Sequence, residues 1–296
     1  MHRHTGYTKP RAPMINKISL NHLRNLAFLS SVWAVLLAGC GGGGSADTSP
    51  GTGPAATVPD PMYKQQILGS TQGSYGLTCQ DAGAQNANRV LQISGGEISL
   101  NGKKTLSANT DDAIISLDRR FTPTPSKSAD LTLYASNKSI SFMVTFTPSG
   151  ANDYNLTGFR YFDLNTNAST TCVPTTTATL SYVSTSLPKQ LFTNETGSIP
   201  CTNSAVGPAL YDYVLTRESL TLSSGQDRVV FNLGAFKDGE RFDAQNDINP
   251  AGISVGKFMY ASGLGNQNFS IVKYADSGVS QVSLRQFDGS VIKCQK

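Results

Sequence analysis

The distribution of apolar and polar positions divides the chain into three stretches. Leu26 to Gly39, "LAFLSSVWAVLLAG", is a single apolar block behind a stretch that holds basic but no acidic residues. Residues 41–61, "GGGGSADTSPGTGPAATVPDP", have no aromatic residue and no apolar period, so they cannot build a core and read as a flexible tether. From about Tyr63 the pattern changes to short runs of alternating apolar and polar residues: "RVLQI" from Arg89, "EISL" from Glu97, "AIISL" from Ala113, "LTLYA" from Leu131, "SISFMVTF" from Ser139 and "GFRYFDL" from Gly158. Turn-forming clusters such as "NG", "SNKS" and "SGAND" separate the runs. Period-two alternation at this spacing predicts half-buried strands in a β-sandwich or small β-barrel. After the tether no long segment carries a helical period, so the expected fold class is all-β.

The cysteines show how the strands are organised. Beyond Cys40 there are four, and Cys79–Cys172 and Cys201–Cys294 are both 93 residues apart. Flanking sequence repeats in the same order. "KQ" (64–65, 189–190) and "GS" (73–74, 197–198) precede the first cysteine of each pair. Then come "VL" (90–91, 214–215), "EISLNG" against "ESLTLSSG", and "YAS" (134–136, 260–262). "SFMVTF" against "FSIVKY" and "FD" (162–163, 287–288) lead to the closing cysteine. This predicts two tandem copies of one β-domain, over 63–183 and 184–296. Equivalent cysteines then pair equivalently, Cys79 with Cys172 and Cys201 with Cys294, each bridge closing one domain. The rival pairing, Cys172–Cys201 with Cys79–Cys294, would staple the domains together. The "FD" phenylalanines are expected to pack beside the disulfides with each Asp opening a turn, and "YAS" to hold a buried tyrosine.

The front of the chain sets the compartment. Arg3, Lys9, Arg11, Lys17 and Arg24, a 14-residue apolar block and a small-residue exit have the layout of a secretory signal over residues 1–39. Met14 offers a second possible start. Leu37-Ala38-Gly39-Cys40 resembles the lipobox of bacterial lipoproteins. That resemblance implies cleavage before Cys40, acylation of Cys40 (palmitate among the acyl groups), a tethered segment over 40–62 and, with Gly41 next to the cysteine, sorting to the outer membrane. Several acyl chains hold a protein firmly where one is marginal. An oxidising compartment also favours disulfides.

Cleavage there changes the charge argument. The full chain carries +4, but five of its 24 basic residues precede Cys40, leaving 19 against 20 acidic and a net charge of −1. The basic excess belongs to the signal, so no nucleic-acid partner is expected. His2, His4 and His22 and the lone Trp33 leave with it. Histidine-based triads, dyads and metal sites are thereby excluded from the mature chain. Carboxylate chemistry remains. The densest cluster is "KDGERFDAQNDINP", with Asp238, Glu240, Asp243 and Asp247 as candidate Ca²⁺ ligands or a glycosidase-type acid–base pair. Its spacing is not that of an EF-hand, and the simpler expectation is a solvated inter-strand loop. In the first copy only Asp118 and Arg119 offer a match to Glu240 and Arg241. No catalytic residue, cofactor or metal is assigned.

The functional expectation is an outer-membrane-anchored, non-enzymatic envelope lipoprotein, a binding, structural or adhesive module for a protein or glycan partner. A lysozyme-type periplasmic inhibitor and a carboxylate-dependent hydrolase are the alternatives. The former rests on a loose likeness to barrel-type lysozyme inhibitors of bacterial envelopes.

Overall fold

The computed structural model describes residues 62–81, 86–121, 129–234, 239–249, 251–264 and 266–296. The signal, Cys40 and the tether therefore lie outside the described residues, as does Asp238. The first half opens with helix α1 (Met62–Gly69) and continues through β1 (Gly73–Asp81), β2 (Ala87–Ser94), β3 (Glu97–Leu100) and β4 (Lys104–Ser107). It then runs through β5 (Ile114–Phe121), β6 (Ala129–Ser136), β7 (Ile140–Pro148), β8 (Asp153–Asp163) and β9 (Ala168–Pro174). After the short β10 (Thr179–Ser181), which pairs with β8, the same order begins again. It opens with α2 (Ser186–Leu191), β11 (Glu195–Asn203), β12 (Gly207–Leu215), β13 (Ser219–Ser224) and β14 (Asp227–Asn232). It ends with β15 (Gly239–Ile248), β16 (Ser254–Leu264), β17 (Gln267–Tyr274), β18 (Gly278–Arg285) and β19 (Val291–Gln295). The "KQ" pairs lie in the two helices, which are too short to show a helical period in the sequence.

In each half, β1–β9 and β11–β19, consecutive strands among the described residues pair antiparallel except at β4–β5 and β14–β15, and the first and last long strands also pair, β1 with β9 and β11 with β19. The cysteines sit directly opposite each other in those ladders, and the disulfides are Cys79–Cys172 and Cys201–Cys294. The alternation is that of a one-sided sheet: Ile140, Phe142, Val144 and Phe146 of β7 point inward while their neighbours face out. The halves are not separate bodies. Strand β5 pairs antiparallel with β15, so one sheet runs β4-β3-β2-β1-β9-β8-β7-β6-β5-β15-β16-β17-β18-β19-β11-β12-β13-β14. The buried side chains of both halves form one contiguous core. Helix α1 lies against β5, β15 and α2 at this junction, where Tyr63 meets Phe258 at 5.1 Å between ring centroids.

The register follows the same order in both halves. One cross-strand row runs Cys79, Cys172, Phe159, Val144, Leu133, Leu117, then across the seam to Phe242, Tyr260, Ile271, Val282, Cys294 and Cys201. All of these residues are buried. The row reads the same strand by strand from either disulfide, which places a local pseudo-two-fold axis between Leu117 and Phe242. The β-bulges obey it too: register shifts between Thr145 and Phe146 in the β7–β8 ladder and between Val272 and Lys273 in the β17–β18 ladder. At these equivalent sites Thr157 donates to the Thr145 carbonyl and Ser280 to the Val272 carbonyl, both at 3.3 Å.

The same register corrects two expectations. By position Leu133, not Tyr134, corresponds to Tyr260, so "YAS" is displaced by one residue; Tyr260 is buried but Tyr134 is exposed. The "FD" phenylalanines do not pack on the disulfides either: Phe162 and Phe287 are exposed, and Phe159 and Val282 stand beside Cys172 and Cys294. The aspartates do open turns, Asp163 accepting from the Asn165 and Thr166 amides and Asp288 from that of Ser290.

Candidate functional site: the charged end of the seam

The segment expected to be a solvated loop is strand β15, paired on both sides, with β5 and with β16. Its charged residues are compatible with a strand because alternation sends Glu240, Phe242 and Ala244 inward and Arg241 and Asp243 outward. Glu240 and Asp243 thus lie on opposite faces of the sheet and cannot share an ion or flank one bond.

Each described carboxylate has its own cation. Inside, Glu240 faces Arg119 directly across the seam, with Nε 3.1 Å from Oε2. The Tyr260 hydroxyl donates to Glu240 Oε1 at 3.4 Å and accepts from the Gly234 amide at 3.1 Å. Burial pushes the Glu240 carboxyl up to about 7, against the opposing pull of Arg119. Tyr182 is buried nearby, and its hydroxyl is held well above the usual phenol range by burial and by the Glu240 charge. Outside, Arg241 pairs with Asp243 at 2.7 Å and approaches Asp118 at 3.6 Å, while the Ser116 hydroxyl donates to Asp243. Farther along the strand Asp247 is held by Lys257 at 2.8 Å and by the Tyr274 hydroxyl at 3.1 Å. The Lys257 contact keeps its carboxyl below the usual range. The proposed quartet is therefore split among three environments, with Asp238 outside the described residues. Among the described residues no group of three or more His, Cys, Asp or Glu is placed to hold a metal ion.

Pseudo-symmetry isolates what is unusual here. Rotation about the Leu117–Phe242 centre exchanges Ser116–Asp243 with Asp118–Arg241, so the outward polar pairs recur at both ends of the seam. The inward pair Arg119–Glu240 maps onto Ile115–Ala244. One end of the seam buries an ion pair where the other buries two apolar side chains. The sequence match of Asp118-Arg119 to Glu240-Arg241 found the right four residues with the wrong relation: they are partners across the seam, not copies of each other.

At the same end of the seam lies an open groove of about 390 Å³, and Arg119 and Glu240 are among the residues that line it. Its floor includes Gly239 and Gly263, which are directly opposite each other, and Asp118, Arg241, Asn268 and Ser270 stand around it. Tyr134, the most exposed of the tyrosines among the described residues at 39 %, is opposite Ser116 on the outward side. Eight of the other tyrosines are core residues, so a tyrosine-rich contact surface is not present in this region.

A second buried polar cluster belongs to the second half alone. Glu195 on β11 accepts from the Val279 amide and the Tyr213 hydroxyl, both at 2.8 Å, and pairs with Lys273 on β17 at 2.8 Å. Register makes Phe146 the counterpart of Lys273, and in the first half that ring lies edge-on to Tyr75 at 5.7 Å. Burial acts to raise the Glu195 carboxyl, but these hydrogen bonds outweigh it and hold it below the ordinary value.

Comparison with protein-family models, curated proteins and solved structures finds no match.

Proposed function

We propose that this chain is a lipid-anchored envelope protein of the bacterial outer membrane, a non-enzymatic binding or structural module held by Cys40 on a flexible tether. The observation that carries the non-enzymatic part is the separation of the carboxylates: Glu240 points into the core, Asp243 out of it, and each contacts its own arginine. A hydrolase built on this strand would need two carboxylates addressing one substrate atom. The anchor is supported by the lipobox-like Leu37-Ala38-Gly39-Cys40 and by the Gly/Ser/Pro-rich stretch after it. The charged end of the seam, with Asp118, Arg241 and Asn268 around the groove and Tyr134 on the neighbouring strand, is the surface we assign to a protein or glycan partner.

The test is capture of partners from envelope extract by the chain from residue 62 onward, with Arg241→Met as the comparison. A species retained by the wild type and lost from the variant supports this reading. Retention that is indifferent to Arg241 moves the contact surface elsewhere, and measurable hydrolysis of envelope glycans overturns the non-enzymatic assignment.

A further inference from the structure

The inward end of the seam holds a charge that the fold does not require. Glu240 is 3 % exposed, and its Oε2 atom lies 3.1 Å from Arg119 Nε without a well-aligned hydrogen bond among the described residues. Its pseudo-symmetric site accommodates Ala244 opposite Ile115 with no polar atom in either side chain. Taking a carboxylate out of water costs several kcal/mol, which a single facing cation repays only with good geometry and further hydrogen bonds. The groups facing Glu240 are Arg119 from β5, Tyr260 and Ser262 from β16, and Tyr182 beyond β10, with the Tyr154 ring of β8 behind Tyr182 at 6.1 Å. Of these only Arg119 is a cation. Arg119 keeps some contact with solvent while the Glu240 side chain has none, so burial weighs on the carboxylate and favours its protonated form.

We propose that the Arg119–Glu240 end of the seam is a proton-operated latch, tight while Glu240 holds a proton and loosened when Glu240 ionises. The sign follows from linkage. Glu240 keeps its proton up to about pH 7 with the seam closed, whereas a solvated glutamate releases it near 4.5. Between those values the closed seam binds the proton more tightly than the open one, so raising the pH favours opening. Arg119 and Glu240 themselves line the groove, in the row between Asp118–Arg241 and Gly239, so the latch couples the groove's shape to pH. This inference does not depend on the binding role of the groove.

The experiment is hydrogen–deuterium exchange of the chain from residue 62 onward between pH 5 and pH 8, corrected for intrinsic exchange. The peptides to follow cover 114–121 and 239–248, with 73–81 and 168–174 as the reference ladder beside the first disulfide. The opening equilibrium at the seam should rise on the order of tenfold to a hundredfold across this range while the reference ladder stays flat. Glu240→Gln should abolish the rise. Should that variant fail to fold, the double variant Arg119→Ala with Glu240→Ile, which copies the opposite end of the seam by its pseudo-symmetry, should fold and exchange without pH dependence. A flat wild-type profile, a rise that survives in either variant, or an equal rise in the reference ladder overturns the latch.

Discussion

Leu117 and Phe242 face each other across the junction of the two halves, at the centre of a buried row that ends in a disulfide on each side. Each half contributes one edge strand to the junction, so the repeat is joined by backbone hydrogen bonds and by a shared core rather than by a linker. Leu117 is 1 % exposed and Phe242 not at all. Truncating a fully buried leucine or phenylalanine to alanine costs about 2–5 kcal/mol. Leu117→Ala and Phe242→Ala should therefore each lower the midpoint of urea unfolding markedly, and Tyr134→Ala, at an exposed site, should hardly move it.

Both disulfides close long loops between strands that already pair. Peptide mapping without reduction should yield Cys79 linked to Cys172 and Cys201 linked to Cys294. Replacing either pair by alanine should cost about 2–5 kcal/mol in chemical denaturation. A peptide joining Cys172 to Cys201 would contradict the fold.

The Glu195 cluster makes a prediction about acid. Its carboxyl is held below the ordinary value of 4.5, so its contribution to stability is fully present above that value and is lost as the pH falls through the lower, folded-state value. Glu195→Gln should flatten the stability profile on the acid side of pH 4.5, as measured by urea unfolding at successive pH values. Lys273→Met leaves Glu195 without its cation and should cost about 3–5 kcal/mol at neutral pH.

Gly278 belongs to the same cluster. Its φ is +72°, and a Cβ there would collide with the Glu195 carboxylate. Gly278→Ala should destabilise by more than the ~1 kcal/mol usual for a turn glycine. Gly289, at φ +84° with open space around it, should tolerate alanine at the backbone cost alone.

The sequence was legible where chemistry constrains position. The cysteines can pair only if their strands are adjacent, so their equal spacing exposed both the disulfides and the repeat. Alternation likewise exposed strands such as β7. What stayed hidden depended on register. "YAS" and "FD" recur, yet sit one or two positions out of structural alignment, because a strand fixes which face a residue occupies and not its identity. Strand β15 was hidden for the opposite reason: Glu240 and Asp243 look like loop residues until their partners, Arg119 on another strand and Arg241 two positions back, are in place. The seam itself left no trace in the sequence, since Leu117 and Phe242 are ordinary core residues and their pairing joins positions far apart in the chain.

Cys40 is the proposed lipid handle for this disulfide-tied double β-fold. The direct measurement is metabolic labelling with an alkyne fatty acid, followed by fractionation of the envelope, for the full-length wild type and Cys40→Ala. The wild type should be labelled and recovered with the outer membrane, and Cys40→Ala should be unlabelled. Label that persists in Cys40→Ala, or an unlabelled wild type released in soluble form, would contradict it.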